Sequence, residues 1–418
     1  MSNEIPLRPT PQPTARRPET REARRRVVWY NALFLVLTPI AALVAVPWYA
    51  LAVGVTWVEI AACAALWVVV GLSVTAGYHR LFTHRAYEAS APIRALFAVL
   101  GAVALENSVI AWAAAHRFHH RFVDSDDDPY NPQEGFWYSH MGWIIVKGAK
   151  HDDTSDVPDL WKDPICRWQH RHYLALDVAV NVLITVGLGL ATGHMLGMVV
   201  FALLLRVVLT HHFTFLINSA AHIWGSQRWS TAHSARDNWA LSFLTFGEGY
   251  HNYHHTFQAD YRNGALWYNW DPTKWLIWTL AKLHLAGSLR RSPVDVRFGQ
   301  LFAQALARFQ ERLAGVGESL EGLRERATAA GASARASFSA QIVAAQRQCE
   351  ETLAELKAVN ARWQVAQRAG TRFRPEARTL HRRLRDVRCS ARSSLRTWQQ
   401  LAGAYFERPP GGQVRALG

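Results

Sequence analysis

Four stretches of this chain stay apolar for about the 20 residues that one helix needs to cross a bilayer core. Val27 to Leu51 and Val53 to Tyr78 form one close pair, with Pro47 and Trp48 expected near the turn between them. Leu174 to Leu190 and Met195 to Ile217 form a second pair around Ala191-Thr192-Gly193-His194. Backbone in hydrocarbon must satisfy its own hydrogen bonds, so these stretches are read as helices. The expected fold class is therefore all-α: an integral membrane protein with four transmembrane helices, a helical cap carrying whatever polar site the chain builds, and a C-terminal helical extension. Glu59, Asp177, Arg206, His211 and His212 fall inside the spans and are expected to pair within the bundle rather than face lipid. The run from Ala95 to Leu105, bracketed by Arg94 and Glu106, is too short to cross and is expected to lie in the interface or under the cap as an amphipathic helix.

Composition narrows the partners. The chain of 418 residues carries a net charge of +14 together with 18 tryptophans, and half of it is apolar. No basic run is interleaved with stacking aromatics, which argues against nucleic acid and for a basic face toward anionic lipid headgroups. Cys63, Cys166, Cys349 and Cys389 are scattered without a C-x-x-C pair, so neither a thiolate metal site nor a disulfide framework is indicated. Residues 1–26 hold five prolines and the cluster Arg16, Arg17, Arg21, Arg24, Arg25 and Arg26 ahead of any apolar run. They are read as a disordered basic tail rather than a cleavable leader, kept on the cytoplasmic side by the positive-inside rule. Residues 27–290 form the membrane domain. From 291 to 418 the composition turns to Ala, Arg, Glu, Gln and Leu, and helical spacing returns in Leu301, Phe302, Leu306, Phe309 and Leu313 and again from Ile342 to Trp363, with breaks expected near Gly331 and Gly370. This extension is read as two or three amphipathic helices that self-associate or lie on anionic lipid.

Three histidine clusters carry the chemistry: His79 and His84; His116, His119 and His120; and His251, His254 and His255. His222 stands four residues after Asn218. Spacings of three and four put rings on one helix face, and neutral imidazole is the commonest side-chain metal ligand. His79 and His84, five apart, are expected at a helix end where the geometry loosens. No span separates His84 from His116 and two separate His120 from His251, so all three clusters reach one side of the membrane. The basic N-terminus, two spans earlier, makes that side cytoplasmic. So many imidazoles exceed what one four-coordinate zinc ion takes and suit two metals with open positions. A nitrogen-rich site without cysteine, facing a lipid substrate, points to iron and O2 chemistry. Asp126, Asp127 and Asp128 read equally as a turn and as carboxylates that orient ligand histidines.

At these residues the sequence resembles the membrane fatty acyl desaturases of the stearoyl-CoA type. The resemblance runs from about Val27 to Trp278 and includes Thr75 to His84, Asp128 to Trp143, Asn218 to His222 and Gly247 to His255. It implies that His79, His84, His116, His119, His120, His222, His251, His254 and His255 bind two iron ions, with Asn218 reaching one through water. It also implies a bent apolar tunnel into the membrane, O2 as co-substrate, and a first, delta-9-type desaturation, since the position occupied by His251 is a histidine and not the glutamine of front-end members. Asn31 and Lys147 are similar to headgroup contacts of the family, and Cys63 and Trp67 lie where similar enzymes close the far end of the tunnel. One departure is clear: just before the second histidine cluster, animal acyl-CoA members have an Arg-Asp pair that holds the coenzyme A headgroup, where this chain has Ala114 and Ala115, so an acyl-CoA and an acyl group on a glycerolipid both stay open, with acyl-CoA preferred. No haem motif is present, and electrons are expected from a separate ferredoxin or cytochrome b5-like carrier with its reductase. The expected location is a bacterial inner membrane with both termini and the metal site cytoplasmic. A related di-iron lipid hydroxylase or ketolase is the alternative.

Overall fold

The computed structural model describes residues 26–147, 153–315, 319–328, 334–368 and 375–407. The basic tail read at 1–26 lies outside them except for Arg26, and so do the helix breaks at Gly331 and Gly370. Arg26 is not part of a free tail: Arg26–Val27 (β1) pairs antiparallel with Val146–Lys147, ahead of the first span.

Among the described residues four helices are long and apolar enough to cross a membrane, which makes this an all-α membrane protein: α1 (Trp29–Ala52), α2 (Trp57–Thr83), α6 (Tyr173–Thr192) and α7 (Met195–Ile223). The first turn falls later than expected. Pro39 and Pro47 lie inside α1, and the chain reverses beyond Ala52 at Gly54, whose φ of +91° suits glycine. A proline within a membrane helix is tolerated because neighbours re-satisfy the freed carbonyls. Thr56 and Glu59 then cap α2 reciprocally.

The ionisable groups in the spans are paired. Glu59, fully buried, accepts from Tyr49 Oη at 3.0 Å and meets His194 Nδ1 at 2.6 Å, tying both helical hairpins together at the end remote from the cap. Arg206 donates to the carbonyl of Val103 at 2.8 Å and to Asn181, and Asn181 in turn donates to Asp177 at 3.0 Å. His211 reaches the carbonyl of Ala104 at 2.8 Å.

Between the two pairs of spans the chain builds the first half of the cap. The short apolar run is a helix, α3 (Ala91–Ala102), which ends before Leu105 because Leu105 takes a left-handed conformation. It packs tightly against α2: a side chain at Gly77 would overlap Phe97, and one at Gly101 would overlap the Tyr78 ring. Next come α4 (Val109–Phe122) and α5 (Pro164–Arg171). After α7, the short α8 (His251–Thr256) and α9 (Pro272–Lys282) complete the cap around Val109, Ile110, Phe97, Ile277 and Leu280. A two-residue pairing, Glu88–Ala89 with Ala286–Gly287, ties the first half of the cap to the second.

The extension forms α10 (Val294–Gly315), α11 (Leu320–Thr328), α12 (Ala334–Arg368) and α13 (Pro375–Glu407). They share a core of their own, in which Phe302, Phe309, Leu313, Ile342, Leu356, Leu395 and Trp398 are buried.

Candidate metal centre

The histidines are delivered by local geometry that each element supplies. Over Ser73–Thr83 the end of α2 widens to π-helical hydrogen bonding, and the amide of His84 bonds the carbonyl of His79, five residues back, at 3.1 Å. A turn closed at that spacing stacks residues five apart, so His79 and His84 face the same way, which an α-helix would not allow. Ser108 caps α4, accepting from the amide of Ala111 at 3.3 Å, and Asp237 accepts from the amide of Tyr253 at 2.9 Å to fix α8. The helix carrying Asn218 stops there. Ser219 breaks it, with φ −104° and ψ −73°, before the last turn Ala220–Ile223 that holds His222.

Nine rings converge as two groups. His79, His84, His116, His120 and His254 form one, and His119, His222, His251 and His255 form the other, with the ligand atoms of each group all within 4.8 Å of one another. The spacing within each cluster decides the split: His116 and His120 go to the first group and His119 to the second, while His251 and His255 go to the second and His254 to the first. The Nε2 atoms point at each other. His116 Nε2 lies 3.1 Å from His84 Nε2 and 3.0 Å from His120 Nε2, and His255 Nε2 lies 3.1 Å from His251 Nε2 and 3.3 Å from His119 Nε2.

An Nε2 atom has either one proton or one lone pair, so a nitrogen facing two others cannot satisfy both by hydrogen bonding. The opposite edges of the rings resolve the matter. His79 Nδ1 lies 2.9 Å from Glu248 Oε2, His119 Nδ1 2.9 Å from Asp128 Oδ1, His222 Nδ1 2.7 Å from Ser234 Oγ and His116 Nδ1 3.2 Å from Tyr130 Oη. The Asp128 carboxylate can only accept, so it holds the proton of His119 on Nδ1. The Glu248 carboxylate and the hydroxyls beside the other rings are placed to do the same, which turns Nε2 lone pairs inward, the arrangement that orients histidines toward a cation. Burial, then the repulsion of neighbouring rings, holds His84, His116, His120, His251, His254 and His255 well below the usual imidazole range, so they are neutral donors at pH 7. Burial also pushes the Glu248 carboxyl up, but Arg80 and then His79 outweigh it and keep it below its ordinary value. Arg80 is itself buried between Glu248 at 2.8 Å and Asp271 at 3.0 Å. The donor set thus fits two metal ions, five nitrogens for one and four for the other.

A cavity of about 460 Å³ runs from this centre down between the spans, lined by His79, His116 and His251 at one end and by Phe34, Leu35, Trp67, Val74 and Phe213 further along. Its size and apolar walls suit a small-molecule or acyl ligand. Asn218 and Asn31 line it, and Asn31 donates its amide to the carbonyl of Ile144 at 2.9 Å. Lys147 is placed by its backbone pairing with Arg26. Trp67 closes over the cavity against Phe213 and Phe246, ring centroids 5.5 and 4.8 Å away. Cys63 lies one turn beyond Trp67, buried against Tyr49, Val200 and Phe201 rather than lining the space.

Sequence reasoning offered Asp128 only as one of three equal candidates and gave no role to Glu248, Asp124, Tyr130, Ser234 or Glu106. Glu106 lines the cavity, its two carboxyl oxygens buried without a hydrogen-bond partner, and burial pushes its carboxyl up to about 7, with Thr214 and Trp112 nearby pulling the other way. Left-handed backbone at Leu105 and Asn107 flanks it, a local strain found where a side chain must be aimed.

A family model described as fatty acid desaturase matches residues 57–288. A probable acyl-CoA desaturase of Schizosaccharomyces pombe is 44% identical over 225 residues, covering 53% of this chain and 47% of the relative. Acyl-CoA desaturase 1 of Saccharomyces cerevisiae is 42% identical over 223 residues, 53% of this chain and 44% of the relative. Human stearoyl-CoA desaturase 5 is 34% identical over 284 residues, 66% of this chain and 84% of the relative. The match spans about half the length of the two yeast relatives.

Proposed function

We propose that this chain, which belongs to the fatty acid desaturase family, introduces a cis double bond into a saturated acyl chain in an O2-dependent reaction. The observation that carries the reading is the pair of histidine groups at the head of an apolar cavity. In the proposed centre His79, His84, His116, His120 and His254 hold one iron ion, and His119, His222, His251 and His255 hold the other, with Asn218 beside them. Two irons held there would activate O2, the oxidant that removes hydrogen from an unactivated methylene. The acyl chain loses two hydrogens, and O2 becomes two waters with two electrons from a donor and two protons from solvent.

The protein's own work is placement. Phe34, Leu35, Trp67 and Phe213 exclude water along the acyl chain, and Trp112, stacked on His116 at 4.9 Å between centroids, forms the wall where chain and histidines meet. Glu248, Asp128, Ser234 and Tyr130 hold the ring protons on the outer nitrogens.

The finer reading is an acyl-CoA substrate in preference to an acyl-lipid, and a delta-9-type position; the names of the yeast and human relatives support the first. Asn31 and Lys147 then meet the headgroup near the cavity mouth, while Trp67, and Cys63 behind it, limit chain length. Residues 27–290 are the catalytic unit and 291–418 an appended helical domain suited to self-association, in line with the extension's separate core. Electrons arrive from a separate ferredoxin or cytochrome b5-like carrier. The basic N-terminal tail favours a cytoplasmic cap and cytoplasmic termini.

Lipid profiling of a desaturase-deficient host expressing the wild-type chain beside His119→Ala tests this. New acyl chains two hydrogens lighter, lost in the variant, are expected. Products one oxygen atom heavier would assign the chain to hydroxylation, and an unchanged profile with a competent donor present would overturn the enzyme reading.

A further inference from the structure

The two histidine groups are unequal, five rings against four, and a tenth ring stands beside the smaller one. His233 lies on the loop between α7 and α8. Both of its ring nitrogens are buried without a hydrogen-bond partner. Its ring centroid is 5.3 Å from that of His255. Members of the quartet stand at the same range: His222 to His255 at 5.2 Å and His119 to His222 at 5.4 Å.

The loop is built into the wall of the centre. The carbonyl of His233 accepts from Gln227 Nε2 at 2.6 Å, and the next residue, Ser234, meets His222 Nδ1 at 2.7 Å. The Ser234 amide donates to Asp124 Oδ2 at 2.5 Å, and its hydroxyl donates to the other oxygen of the same carboxylate. The backbone on both sides of the imidazole is therefore fixed while the imidazole itself is uncommitted. The ring is half-buried, but both of its nitrogens are shut off from solvent, and such nitrogens left unmet are unfavourable unless something takes one of them. The ring is tilted 44° to that of His255 and stands outside the quartet.

We propose that His233 is a further nitrogen donor to the His119, His222, His251 and His255 group, bringing it to five like its neighbour; this rests on the two-iron reading above. The test uses full-length protein purified in detergent and loaded with Fe2+. Iron content, release to a colorimetric Fe2+ chelator, and the nitrogen shell seen by iron-edge X-ray absorption are measured for wild type, His233→Ala and His233→Gln. Gln keeps the bulk of the side chain should Ala impair folding.

Wild type should hold two irons. Each variant should release one of them about tenfold faster, with fewer nitrogens per iron, and free imidazole should slow the release from His233→Ala again. Two irons held by both variants with wild-type release rates and an unchanged nitrogen shell would overturn the role of His233 alone. Wild-type protein that binds no iron would overturn the metal reading and His233 with it.

Discussion

The partner of each histidine matters as much as the histidine. Asp128 accepts the Nδ1 proton of His119 and also receives the amides of Asp124 and Tyr130, at 3.2 Å each, so it is fixed before it orients anything. Asp128→Asn is expected to weaken retention of one iron by about 10- to 100-fold, read as faster release to a chelator with the fold retained by circular dichroism. Acid should act on the same atoms. Six of the clustered histidines are held well below their ordinary range in the folded chain, whereas unfolded they titrate near 6.5. Below that pH the unfolded state binds more protons, so stability is full above about 6.5 and falls with acid, by about 1.4 kcal/mol per pH unit for each histidine so affected. Unfolding midpoints of metal-free protein should drop steeply between about pH 6.5 and 5. Nine histidines were legible from spacing and from the order of spans. Of their outer partners only Asp128 was offered, since Glu248 and His79 meet across 169 positions of chain and nothing local marks the pair.

At the level of elements, the α2–α3 contact leaves no room for a further side chain. Gly101 lets the Tyr78 ring lie against the helix, and Tyr78 directly precedes His79. Gly101→Ala should cost roughly 1–3 kcal/mol by overpacking, seen in unfolding titrations in detergent, and should disturb iron retention along with stability. Trp67→Ala tests the other end of α2. If the ring limits the cavity against Phe213 and Phe246, the product profile should shift to longer acyl chains, and an unchanged profile would exclude that role. The four spans could be read from apolar length alone, and their boundaries shifted by only a few residues. The turn expected at Pro47 moved to Gly54 because proline's missing amide is tolerated inside a membrane bundle. The widened end of α2 was anticipated only as loosened geometry, since a π turn arises from packing around the histidines and leaves no periodic trace in sequence.

On the scale of the molecule, two cores do not share side chains: one lies under the cap, around Val109 and Ile277, and the other lies within the extension, around Phe309 and Trp398. Unfolding should therefore proceed in two steps, of which only the cap transition rises with iron, since a ligand stabilises only the unit that binds it. Differential scanning calorimetry with and without chelator checks this; a single transition that moves as a whole would show the extension to be coupled to the cap. The interleaving of the histidines ties the two groups together. Because α4 and α8 each send rings to both groups, the spacing between the two histidine groups is set by the rigid repeat of two short helices. A substitution that shifts either helix should therefore disturb both histidine groups at once, whereas loss of one outer partner such as Asp128 should loosen a single group.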